Sequence, residues 1–579
     1  MSNPTLRAIV GTSPNLIQVA VEVRQELNQH GWCFVEFRAT NDNRPPAEKW
    51  LGQNISVEAT DENGTTTIFG GFVWQSELHH DMAGGYNVVL TGVTESWRLE
   101  VTHAQNAFHR QTLSEIAAKL AGEDGVSVSV TTKDNRPWQY LVQWGIPDMP
   151  FLVQRAYERR AWVRATLKGI EIRDAFSQSH VVSWADRLVH YAVVGRVGSP
   201  SCSGTYYDPA TTISQRLREV KQAPSFLSAN GMGTAVVSAS QNVLPSSGTY
   251  RSTHAVSESD FQTRLEIESQ RNLSQAYVIG ITTEPRVDIG DKLEINGLPN
   301  ADGDGSCGVL KVIHTWTQAN GYKNEFIATL ASQWMSAAPP EPYPPNRTWQ
   351  VQDRPGLYPA GTNGSSGGGI SLTDSRSFFW NDGGSCSRMV DSLGHNHFHL
   401  PQPYLGVVVA RVVDNNDPEH MSRLKVQYIW ADEPTDWIRI VSPNAGSDRG
   451  ILFLPEVGDE VLVAFEDGDP NYALVIGSLW NSANNNQGVR APFNSSCGVA
   501  NNDIKRIVTK GGLRITFCDT GGEQGLTLVT PFASIRLLQN GAQAGLPMIA
   551  LETTNGDILL SAPNGRVHIN SKFYSKEIG

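Results

Sequence analysis

The amino-acid sequence predicts a mainly β protein with a minor α+β part, on three observations. Gly (53) and Pro (31) are frequent among the 579 residues and only 18% are charged, a balance suited to many short strands joined by turns. Apolar and polar residues alternate from 406 to 481 and again from 513 onward, the pattern of strands with one buried face. Helical periodicity is found in short segments of the N-terminal half.

Residues 1–337 form the first expected domain. Ile55 to Ala59, Thr65 to Val73 and Tyr86 to Leu90 read as strands. Thr112-Leu113-Ser114-Glu115 has capping-box spacing, and Leu113, Ile116, Ala117 and Leu120 then recur at helical intervals. A second helix is predicted within Pro147 to Arg160, where Pro and Asp precede Phe151-Leu152-Val153.

Composition changes over 338–402, with Pro339-Pro340-Glu341-Pro342 followed later by Gly367-Gly368-Gly369. This predicts a linker that is stiff first and flexible later. His395, His397 and His399 alternate within it, so in an extended strand their imidazoles share one side, a spacing able to ligate zinc, nickel or iron. A hydrogen-bonded linker turn is the favoured reading, and no cofactor or metal is predicted.

Residues 403–482 are expected to form a compact barrel. Val407 to Val413, Leu424 to Trp430 and Trp437 to Val441 supply three strands. Leu454 to Phe465 reads as a strand pair with Val457, Val461, Val463 and Phe465 on one face and Gly458 in the turn, and Gly468 marks the next turn. Five short strands in this length suit a small closed barrel of the oligonucleotide/oligosaccharide-binding (OB) type.

A polar connector, 483–502, leads to a repetitive tail, 503–579. Leu513, Ile515 and Phe517 alternate, as do Leu526 and Leu528, and Ile535 and Leu537. The last three pairs, Ile549 and Leu551, Ile558 and Leu560, and Val567 and Ile569, begin nine residues apart (558−549, 567−558). One chain of such strands has too little apolar surface to enclose a core, and its edges stay open to pairing. Such strands need partners, and further copies of the chain around a common axis would bury these six residues in a shared prism and satisfy the edges.

Composition also narrows the function. A net charge of −12 argues against nucleic-acid binding, which needs clustered Lys and Arg. Cysteines 33, 202, 307, 386, 497 and 518 show no close pairing in sequence and are expected to be reduced, mostly buried thiols. No basic-then-apolar leader and no long apolar run is evident, so assembly in the cytoplasm is expected. Adjacent carboxylates such as Asp459-Glu460 and Glu466-Asp467 point to opposite faces of a strand and cannot converge on one substrate atom. No Gly-rich phosphate loop ending in Lys-Ser/Thr is present, and no enzymatic activity is predicted.

The ordered set Asp414 to Pro418, Arg423-Leu424-Lys425-Val426, Ile429-Trp430, Trp437-Ile438-Arg439, Ala445-Gly446, Pro455 to Phe465, Gly468-Asp469-Pro470 and Gly477 to Asn481 resembles the barrel of contractile-injection spike proteins. That family includes the type VI secretion valine-glycine repeat (VgrG) proteins and phage tail hub-and-spike proteins. More loosely, Leu51-Gly52, a Gly70-Gly71 strand turn, Tyr86 to Leu90, Gln139-Tyr140, Asp148 to Leu152 and Arg155 are similar to its hub domain. Together with the open edges of the tail, the resemblance implies a homotrimer, with a trimeric hub of pseudo-sixfold symmetry seated on the inner-tube hexamer among baseplate subunits, and a trimeric β-helical (β-prism) needle driven through the target envelope by sheath contraction. It also implies a tip cap of the proline-alanine-alanine-arginine (PAAR) repeat type, expected to dock near Gly565, His568 and Phe573. Effector cargo and transient contact with the target membrane are further implied, with the particle extracellular or translocated on firing. The short tail and divergent opening favour a phage-tail-like or extracellular particle over a conventional type VI system. A tail-associated cell-wall hydrolase and a carbohydrate-binding adhesin are the alternatives.

Overall fold

A computed structural model describes residues 3–336, 406–482 and 502–568 together with 570 and 572, apart from 12–15, 40–46, 81–85, 102, 200, 209–211, 228–230, 245–247, 256–257, 300–303, 522–523 and 541–545. The fold is mainly β, with 49% of the described residues in strands and 15% in helices. The linker with His395, His397 and His399, and the tail residues Ile569 and Phe573, lie outside the described residues.

The N-terminal region is organised by a twelve-stranded sheet that closes the chain on itself. Ile17–Glu26 pairs with Trp32–Ala39 on one side and with Gly305–Thr317 on the other, so strands far apart in sequence are neighbours. Alternation decides what each face holds. Val21, Val23, Cys33, Val35, Val88 and Leu90 meet Ile55, Val57 and Phe69 in one core, while Val278, Leu293, Ile295, Val309, Val312 and Phe326 build a second. The predicted strands are present, as Asn54–Asp61, Gly64–His80 and Tyr86–Val93. Gly70 and Gly71 are not at a turn but inside Gly64–His80, against expectation. A Cβ on Gly71 would lie 2.0 Å from the Val93 carbonyl oxygen, so the glycine is required by close approach of a neighbouring backbone.

A smaller α+β layer is inserted after Tyr86–Val93. Helix Leu113–Glu123 opens with the capping box read from the sequence, in which Glu115 N donates to Thr112 Oγ1 at 3.3 Å and Thr112 N to Glu115 Oε2 at 2.8 Å. Its Leu113, Ile116, Ala117 and Leu120 pack against Met149, Leu152, Val153 and Ala156 of helix Asp148–Glu158. Strands His103–Gln111 and Trp138–Pro147 pair antiparallel beside these helices.

The barrel places Lys425–Tyr428, Val407–Asp414, Glu460–Phe465, Ala473–Leu479 and Arg439–Ile440 in that order. Val408, Ala410, Val412, Val426, Val461, Val463 and Val475 fill its core. One expectation fails here: Val457 is 59% exposed and Leu454 to Val457 form no strand. The segment has no ladder partner, and the Glu456 to Asp459 turn, closed by Asp459 N to Glu456 O at 3.0 Å, turns Val457 outward. Gly458 occupies that turn at φ +99°, and Gly468 follows at φ +77°, conformations that favour glycine.

The chain divides into two compact units, Met1–Gly477 and Ser478–Gly579. Within the second, Ile504–Val508, Arg514–Cys518, Gly525–Val529, Ala533–Leu538 and Met548–Thr553 form a five-stranded antiparallel meander. Strands expected at Ile558 and Val567 do not form in the single chain, where those residues find no neighbour to pair with. Among the described residues no helix is long and apolar enough to cross a membrane.

Candidate functional site

Two features collect the side chains with functional potential, a seam between the α+β layer and the barrel, and the apolar face of the C-terminal meander. The seam is built on Trp138–Pro147, whose register shifts near its end where Ala104 and Gln105 oppose Ile146 and Trp144. Trp144 packs edge-on to Trp430 with ring centroids 4.6 Å apart and lies 6.1 Å from Phe465, while Tyr428 and Trp430 stack at 4.9 Å. Directional bonds fix the fit. Val142 N donates to Asn471 Oδ1 at 2.7 Å and His109 Nε2 bonds the Pro434 carbonyl, while from a separate helix, Glu258–Leu273, Arg264 donates to the Tyr472 hydroxyl at 3.1 Å. Burial pushes the Tyr472 phenol up to about 12, so it remains a neutral hydroxyl.

The meander has two unlike faces. Opposed residues in antiparallel strands share a face, so the register places Ile507, Ile515, Leu528, Ile535 and Leu551 in one continuous row. A second row on that face runs Phe517, Leu526, Leu537 and Ile549. Arg506, Arg514, Thr516, Thr527, Arg536 and Glu552 lie on the other face. The inversion of burial is informative: Ile549 is 74% exposed while Thr527 is 2%. Among the described residues of this unit only Thr516, Cys518 and Thr527 are buried, so the unit has no apolar core of its own.

Of the predicted needle residues, Ile549 and Leu551 belong to these rows, while Ile558, Leu560 and Val567 lie exposed outside strands. Gly565 and His568 fall in the same irregular stretch. Cys33, Cys202 and Cys307 are buried free thiols, and burial pushes Cys202 and Cys307 up to about 12. The expectation of thiols throughout fails at Cys518, which is disulfide-bonded. Distance along the sequence does not measure distance in the fold.

One arrangement missed in the sequence has the composition of a hydrolytic relay. His30 Nδ1 bonds Ser96 Oγ at 2.9 Å and His30 Nε2 faces Glu100 Oε2 at 3.3 Å. Ser96 has no exposed surface and also bonds Thr94 Oγ1 at 2.8 Å, so no substrate reaches it and the chain closes the end of the sheet. Among the described residues no three His, Cys, Asp or Glu side chains are grouped to hold a metal.

Comparison with known proteins matches two segments to families. Residues 25–162 match the phage tail baseplate hub model, and 408–480 match the type VI secretion system/phage-baseplate injector OB domain. The type VI secretion system spike protein VgrG5 of Pseudomonas aeruginosa is 42% identical over 72 residues, 11% of this chain and 9% of that protein. VgrG1a of the same organism is 26% identical over 121 residues, 20% of this chain and 18% of its own length. The match therefore spans less than a fifth of either relative. Among solved structures, a Francisella PdpA-VgrG complex aligns with 95% of this chain and 88% of its own at a TM-score of 0.56 and 9% identity, a likeness of fold.

Proposed function

We propose that this chain, which carries the hub and injector-OB domains of the VgrG and phage-tail hub-spike proteins, works as the homotrimeric centrepiece of a contractile injection particle. The observation that carries the reading is the pair of apolar rows from Ile507 to Leu551 and Phe517 to Ile549, solvent-exposed in a unit without an apolar core. Burying those rows against two further copies removes apolar area from water at about 25 cal/mol per Å². The five-stranded sheet has two different edges, Ile504–Val508 and Met548–Thr553, as a closed heterologous ring requires.

In this reading 1–337 forms the hub on the inner-tube hexamer and baseplate, 338–402 links it to the barrel at 403–482, and 483–502 joins the barrel to a needle over 503–579. Sheath contraction would drive that needle through the target envelope. Ile558, Leu560, Val567 and Ile569 would join Ile549 and Leu551 in the needle interior, and a PAAR-type cap would sit near Gly565, His568 and Phe573. The role is mechanical, with effector cargo carried by association. A phage-tail-like or extracellular particle is favoured over a conventional type VI system, assembled in the cytoplasm and translocated on firing.

Light scattering of the full chain across a range of concentrations tests the reading. A mass of three chains that persists on dilution is expected; a monomer at every concentration would remove the shared-needle argument.

A further inference from the structure

The corner where helix Leu113–Glu123 ends and helix Asp148–Glu158 begins brings two carboxyl groups together in the interior. Asp124 is the C-cap of the first helix and Asp148 opens the second. The Asp148 side chain is 1% exposed, and its Oδ1 accepts from Gln143 Nε2 at 2.5 Å. Its Oδ2 is buried without a donor and faces the Asp124 carboxyl, so only a proton can join the two. The other groups acting on it are Glu123 from the same helix end and the Gln143 amide, and none is cationic. Gln143 in turn bonds the Ile146 carbonyl at 2.9 Å and accepts from Asn106 Nδ2 at 3.1 Å, fixing the strand that carries the next residue, Trp144, into the seam with the barrel.

We infer that the buried Asp148 carboxyl acts as a proton-controlled latch: protonated, its Oδ2 donates towards the Asp124 carboxyl and holds Trp138–Pro147 and the barrel seated, and ionisation of Asp148 loosens the seam. The charges explain the direction. Asp148 sits in a water-poor corner where its charged form is poorly solvated, and the neighbouring carboxyl groups of Asp124 and Glu123 add repulsion. Burial first, then Asp124 and Glu123, raises Asp148 from 3.8 to about 6. A raised folded value means the latch is fully closed below the unfolded value and weakens as pH climbs to about 6, after which no further loss occurs. The inference concerns contacts within one chain and stands apart from the trimer.

The test is hydrogen exchange of the full chain between pH 4.5 and 7.5, corrected for intrinsic rates and read at Trp138–Pro147. Wild-type opening should increase by up to about tenfold per unit as pH approaches 6 and then level off. Asp148→Asn, which supplies the missing donor at every pH, should hold the strand closed and flatten the profile; Asp124→Asn, a second way of supplying a donor, should do the same. A flat wild-type profile overturns the latch whatever the variants do. So does a wild-type-like slope in either variant that folds.

Discussion

Asp417 shows how one buried carboxylate organises a loop that propensity would not hold. It accepts the backbone N–H groups of Glu419, Met421 and Arg423 at 3.1, 2.9 and 3.2 Å and the Arg423 guanidinium at 3.0 and 2.7 Å. These bonds keep His420 and Ser422 at φ +57° and +58°, a region non-glycine residues avoid. The Arg423 guanidinium first, then the backbone donors, holds its carboxyl well below the usual range. A depressed folded value means its contribution is present above the unfolded pKa near 3.8 and is lost as pH falls below it. Asp417→Ala should cost the barrel about 3 kcal/mol, since it leaves three backbone donors unmatched and Arg423 with only the exposed Glu419 carboxylate at 3.2 Å. Urea unfolding at pH 7 and pH 3 checks this: the variant's deficit should shrink at the lower pH, and an equal deficit at both would refute the charge argument.

Between elements, the seam depends on Trp144 more than on any single hydrogen bond. Trp144→Ala removes the ring contacting Tyr428, Trp430 and Phe465 and should weaken seating of the barrel by about 3 kcal/mol. Limited proteolysis should then cut faster between residues 138 and 147 while the barrel core stays protected. Unchanged cleavage would place the seam's stability elsewhere. Little of this was legible beforehand. Residue 144 stood in the sequence as one more aromatic between two predicted helices, because its partners Tyr428, Trp430 and Phe465 lie far along the chain, in the barrel. The capping box at Thr112 was legible, since its donors and acceptors lie within four residues.

For the whole molecule, the decisive property is the exposed apolar face of the C-terminal meander. Leu528 and Ile535 stand opposite each other near its centre. Leu528→Asp combined with Ile535→Asp would place six carboxylates inside a threefold needle at an unfavourable desolvation cost. The doubly substituted chain should shift from trimer to monomer by light scattering, while barrel unfolding stays unchanged because the core of Val408, Val461 and Val463 is untouched. A trimer that survives would locate assembly in the hub alone.

By itself the sequence determined the mainly β class, the helices Leu113–Glu123 and Asp148–Glu158, the barrel's position and the alternating rows of the tail, because each follows from a period of two or near four within a short window. Tertiary structure decided the rest. It paired Ile17–Glu26 with Gly305–Thr317, moved Gly70 and Gly71 from a turn into a strand, turned Val457 outward, joined Cys518 in a disulfide and brought Asp124 to Asp148. Val457 is set by the local turn from Glu456 to Asp459; the other four share one physical reason, that local periodicity specifies which face of an element is apolar, but which other element meets that face is settled by long-range packing and register.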